Sequence, residues 1–138
     1  MPELKWNEYD FIECLGVLPE KEDFFSSHYF KVIKDELILE MTVWQYESCI
    51  AISITKKANE KPFITFHFLV RDEVIFINEK ESAFLKFQDC VLVSSRFWMN
   101  REVTKQLDKQ RDFSNKNDFP SEIDLELLVY PKIELRFN

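Results

Sequence analysis

His67 is the side chain in this sequence best suited to moving a proton near neutral pH, and Arg71, Asp72 and Glu73 stand close after it. An imidazole beside a carboxylate can serve as a general base. In the run FITFHFLV, however, Phe66 and Phe68 share one face of an extended chain and His67 points to the other. No nucleophile stands near it in sequence. A hydrolase-type enzyme using His67 with Asp72 or Glu73 is therefore the weakest of three readings, and the chain is expected not to be an enzyme. No catalytic residue is assigned.

Metal and cofactor chemistry find little support. His28, at a strand start, could share a metal with His67, but nothing specifies the further ligands such a site needs. Cys14, Cys49 and Cys90 are far apart and form no C-x-x-C pair, so they are expected to be buried, free thiols. The carboxylate pairs Glu20 and Glu22, Asp72 and Glu73, Glu79 and Glu81, and Asp124 and Glu126 read as solvated faces. The single glycine, Gly16, excludes the glycine-rich loops that cradle phosphates. The expectation is no metal and no cofactor.

Aromatic residues offer a different chemistry. Phe97, Trp98 and Met99 stand where strand alternation stops, and Trp44 and Tyr46 stand at the end of a hairpin. Large aromatics at a surface anchor protein interfaces, so these five are the candidate partner-binding residues; closing an end of the core is the competing role for the tryptophans. A second candidate is a small-ligand pocket in which Phe66, Phe68 and Phe76, with His67, line an apolar cavity under a curled sheet.

The elements that must position these residues are mostly strands. The 138 residues are 46% hydrophobic and 15% aromatic, enough for one domain, spanning residues 1–138, with a core that needs no disulfides. The stretch Glu36–Lys56 is the clearest hairpin. Leu37, Leu39, Met41 and Val43 share one face, as do Ile50, Ile52 and Ile54. A tight turn at Glu47–Ser48 would set Val43 opposite Ile52, Met41 opposite Ile54 and Trp44 opposite Ala51. Asn7–Val17 reads as a short helix capped by Asn7 and stopped at Gly16.

Glu20–Ser27 reads as a connection, and Tyr29–Ile33 as the first strand. Phe63–Val70 should pair with the hairpin through Ile64–Ile54 and Phe66–Ile52. A turn at Arg71–Asp72–Glu73 leads to Val74–Ile77, apolar on both faces. In Phe84–Ser94 the apolar residues fall on odd positions, and Asp89 marks a bulge or bend. Ser95–Ser121 is charged and lacks alternation, with a short helix expected at Glu102–Lys109 and a loop at Ser114–Asp118. Odd positions are apolar again from Ile123 to Phe137, where Pro131 divides two strands. The fold class expected is mainly β (α+β): an antiparallel meander, curled or folded into a sandwich, with an N-terminal helix packed on it.

Charge narrows the partners. The net charge is −7, from 18 basic and 25 acidic residues, which argues against nucleic acid and suits a basic protein partner. The N-terminus lacks the basic and apolar regions of a secretory signal, and no apolar run is long enough to span a bilayer. A cytoplasmic setting without membrane contact is expected.

The stretch Tyr9–Glu20, YDFIECLGVLPE, followed by LILEMTVWQYE, resembles a pattern found in small uncharacterised bacterial proteins. The resemblance covers roughly the first half of the chain and implies no activity; Ser95–Ser121 departs from it. In general character, small and acidic without evident chemistry, the chain is also similar to immunity proteins that neutralise bacterial toxins. The leading expectation is a non-enzymatic interaction protein, immunity-like and binding a basic partner, or self-associating through a sheet edge or the aromatic cluster.

Overall fold

In the computed structural model, residues 3–22, 24, 26–93 and 123–138 are described; Phe97, Trp98, Met99 and the expected helix at Glu102–Lys109 lie outside them. Helix α1 (Glu8–Leu15) starts and stops where its sequence directs. The Asn7 side chain accepts the Tyr9 N–H at 2.9 Å. Gly16, at φ 73°, donates its N–H to the Ile12 carbonyl at 2.8 Å. Phe11, Cys14 and Leu15 form its buried side.

The strands are β1 (Glu20–Lys21), β2 (His28–Lys34), β3 (Leu37–Trp44), β4 (Cys49–Lys56), β5 (Ile64–Val70), β6 (Val74–Asn78), β7 (Ala83–Val93), β8 (Ile123–Leu128) and β9 (Glu134–Phe137). They make one antiparallel sheet in the order β1-β2-β3-β4-β5-β7-β8-β9, with β6 paired to β7 beside that path. The mainly β fold with an N-terminal helix is thus the architecture observed, and it is an open sheet. Among the described residues no helix is long and apolar enough to cross a membrane.

The central hairpin keeps the expected faces but is shifted by two residues. Val43 faces Ile50, Met41 faces Ile52, Leu39 faces Ile54 and Trp44 faces Cys49. A single 3-10 turn at Gln45–Glu47, closed by Ser48 at φ 51°, replaces the tight turn at Glu47–Ser48. The shift is even, so no side chain changes face. The pairs Ile54–Ile64 and Ile52–Phe66 form as expected. The Glu20–Ser27 connection contains the two-residue β1, which pairs with His28 and Tyr29.

The meander is interrupted once. After Arg71–Glu73 the chain does not turn back on β5. It continues as β6 along the same side of β7, so the two share one long neighbour: β5 pairs with Cys90–Val93 and β6 with Ala83–Phe87. Between these halves β7 carries the bulge expected at Asp89, which has φ 56°. The extra residue reverses the facing of the rest of β7. Leu85, Phe87 and Cys90 enter the main core, whereas Val91 joins Cys49 and Leu69 on the outer face.

The main core fills the concave side of the sheet and is closed by α1. Phe11 stands between Phe30 of β2 and Phe87 of β7, with ring centroids 5.6 and 6.0 Å away. The curl also brings distant strands together: Phe66 of β5 meets Phe137 of β9 at 5.7 Å. Lys34, at the end of β2, places its Nζ 3.5 Å from the Tyr130 ring centroid.

Candidate partner-binding surface

Residues 4–7 run along one end of the sheet before α1 begins, and they tie two elements together. The Leu4 N–H donates to the Gln45 carbonyl at 2.8 Å, and the Lys5 carbonyl accepts the Val74 N–H at 2.9 Å. Trp6 Nε1 donates to Gln45 Oε1 at 3.3 Å, while its ring stands edge-on to Phe11 at 4.9 Å and to His28 at 4.8 Å. Between this segment, the first turn of α1 and the start of β6 lies an open groove of about 540 Å³, lined by Lys5, Trp6, Asn7, Asp10, Glu73, Val74, Ile75 and Phe76.

Next to it, Tyr46 is half exposed on the β3–β4 turn and its hydroxyl donates to the Phe24 carbonyl at 3.4 Å. Phe24 is 90% exposed and sits at φ 61°. Two aromatic side chains are thus exposed at the surface, with Glu22 and Glu47 close to them in sequence. Trp44 has different surroundings. It is partly buried on the outer face of the sheet, packed with Val93 against Cys49, Leu69 and Val91.

The ligand-pocket candidates separate in space. Phe68 is fully buried in the main core, 5.3 Å from Phe87. Phe66 packs against that core from its margin and meets Phe137, and Phe76 lines the groove. His67 pairs with Ala51 and Val93 in the outer-facing row, away from Phe66 and Phe68 as its alternation requires. It is partly buried, and that burial lowers its pKa. Among the described residues no carboxylate is hydrogen-bonded or ion-paired to it.

His28 pairs with Val43, whose side chain is in the main core, so the two histidines occupy opposite faces of the sheet and cannot share a metal. His28 is 3% exposed, and its Nδ1 has no hydrogen-bond partner among the described residues. Its Nε2 lies 3.9 Å from Glu8 Oε2, and Lys21 Nζ lies 2.7 Å from Glu8 Oε1. Burial pushes the His28 pKa down; Glu8 opposes that effect and Lys21 adds to it. Among the described residues no cluster of three or more potential metal ligands is present.

The carboxylates Asp124 and Glu126 face cations, Lys86 at 3.6 Å and Arg136 at 3.2 Å. The three cysteines are buried and none is in a disulfide. Desolvation raises each thiol pKa, to about 11 for Cys14 and about 12 for Cys90, and above the usual range for Cys49.

Trp6 and the groove it borders were not legible as a site. The only hint in sequence is a large aromatic immediately before a helix N-cap, and the opposite wall comes from residues 73–76, far along the chain.

No protein-family model matches the chain, and no curated protein matches it significantly. Among solved structures it is similar to a chain of the contact-dependent growth inhibition toxin–immunity protein complex from Klebsiella pneumoniae 342. That superposition has a TM-score of 0.66 at 9% identity and covers 100% of this chain and 98% of the other. At such identity the likeness is one of fold.

Proposed function

We propose that this chain is a non-enzymatic, immunity-like protein that binds and neutralises a basic partner protein. The observation that carries this reading is the end-to-end fold likeness to a chain of a toxin–immunity complex. The net charge of −7 adds to it. An acidic inhibitor gains association rate with a basic target through long-range steering, and contacts at close range then set the lifetime of the complex. Tyr46 with Phe24 supplies exposed aromatic surface of the kind that anchors interfaces. Trp44, Phe97, Trp98 and Met99 complete the proposed partner-binding set.

The test is capture of the tagged protein from its native cell with identification by mass spectrometry, beside Tyr46→Ala and Trp98→Ala variants shown to be folded. The expected result is one basic protein that is toxic when expressed alone and harmless when co-expressed with this chain. Toxicity that persists on co-expression, or a captured protein whose binding ignores reversal of the surface acids, overturns the reading.

A further inference from the structure

The outer edge of β6 carries main-chain hydrogen-bonding groups that no described strand satisfies. The Val74 N–H donates outward, to the Lys5 carbonyl, and not toward β7. Successive residues of a strand alternate in the direction of their main-chain groups, so Phe76 and Asn78 also direct their N–H and C=O away from β7. The Gln88 N–H bonded to the Glu73 carbonyl at 3.0 Å fixes the opposite set on the β7 side. Residues 5 and 73 make one parallel bridge; then Asn7 turns the chain into α1, and the ladder stops after one rung. Beyond that point the edge opens onto the groove, whose floor and walls offer Trp6, Val74 and Phe76.

We propose that this edge is a strand-docking site for an extended, basic segment of a partner protein, which adds beside Phe76 and Asn78 where the Lys5 rung ends. An exposed edge selects extended backbone through its unpaired donors and acceptors, and a neighbouring apolar pocket takes alternate side chains. The sign of the partner is set by the ends of β6. Asp72 and Glu73 precede it, Glu79 and Glu81 come after it, and Asp10 stands on the facing wall; these carboxylates outnumber the nearby cations Lys5, in the groove lining, and Lys80, between Glu79 and Glu81.

A second copy of this chain fits the edge poorly. Antiparallel self-pairing centred on Phe76 would set Glu73 of each copy beside Glu79 of the other, which is repulsive. Lysine or arginine on the incoming strand meets the same carboxylates favourably. This inference rests on the binding role proposed above and names the contact that would perform it.

The experiment has two arms. In the first, a nine-residue peptide of alternating valine and lysine is titrated into the purified protein, with a valine–glutamate peptide as control. Amide hydrogen exchange is followed by NMR. The Phe76 and Asn78 amides are expected to slow with the lysine peptide only.

Asn78→Pro removes one outward donor at an exposed edge position where proline is tolerated, and Glu73→Lys with Glu79→Lys reverses the charge. Each is expected to bind about tenfold more weakly with an unchanged melting temperature. In the second arm the same variants are measured against the basic protein captured by the wild type.

Unchanged exchange at Phe76 and Asn78 in the first arm, or wild-type affinity of Asn78→Pro for the captured partner in the second, overturns the edge as the docking site and leaves the binding role standing. Protection at the edge by the lysine peptide, with no basic protein captured, keeps the edge and overturns the immunity-like role.

Discussion

Arg71 and Asp89 form an ion pair of 2.7 Å whose side chains are only 3% and 13% exposed. It joins the break between β5 and β6 to the bulge in β7, the place where one long strand must serve two short ones. The Asp89 main-chain N–H, turned outward by the left-handed backbone, donates to Asp124 Oδ1 at 3.0 Å and so brings β8 to the same point. The bend is therefore held by charge as well as by backbone geometry.

Arg71→Met should be strongly destabilising because it takes the Arg71 cation away from a largely buried Asp89 carboxylate, a loss of about 3–5 kcal/mol in comparable cases. Arg71→Met with Asp89→Asn removes that carboxylate charge as well and keeps a residue that tolerates the left-handed region, so it should recover part of the loss. Urea unfolding of both variants measures the difference. A double variant as unstable as the single one would mean that the charge on Asp89 is not the cause.

Gly16 has a purely conformational role. At φ 73° it closes α1, yet a Cβ there would meet no atom within 4 Å beyond its own chain neighbours. Gly16→Ala should cost about 1–2 kcal/mol, the penalty of a left-handed L-residue, and Gly16→Asn less. Thermal melting of the two variants gives the order. Equal melting temperatures would place the helix stop elsewhere.

Much of the fold was legible because alternation is a local property. Leu39, Met41 and Val43, with Ile50, Ile52 and Ile54, had to share a face, and Asp89 had to interrupt one. Register was less legible, since it depended on the conformation of Gln45–Ser48, and a left-handed Ser48 is not implied by its residue type. The position of β6 was illegible for a different reason: Arg71–Glu73 serves equally as a hairpin turn or as a sideways step, and only the eleven-residue length of β7 decides. The groove was hidden more deeply, because Trp6 and Phe76 come to line one groove only after β6 has taken that place. Val91 shows how one left-handed residue misleads a parity argument, by moving every later side chain of the strand to the other face.

The thiols should be inert while the protein is folded. Cys14, Cys49 and Cys90 are buried and desolvation raises the pKa of each, so the reactive thiolate is scarce at pH 8. A thiol reagent such as Ellman's should label none of them quickly in buffer and all three in denaturant. Fast labelling of the native protein would reveal local opening at the labelled strand or helix.

His28 should make stability depend on pH. Its folded pKa lies below the ordinary value of 6.5, chiefly through desolvation against Trp6 and the core, with Glu8 and Lys21 as its charged neighbours. The unfolded chain therefore binds the proton first as pH falls, and proton uptake favours unfolding. The contribution of neutral His28 is complete above about pH 6.5 and is lost as the pH drops toward its folded pKa. His67 is shifted in the same direction by its own burial, so the wild type should lose stability between pH 7 and 5 with a slope of at most about 1.4 kcal/mol per pH unit for each histidine. Urea unfolding of His28→Gln across that range should show a shallower slope, and His28→Gln with His67→Gln a shallower one still. A wild-type slope retained in the double variant would mean that neither histidine causes the dependence.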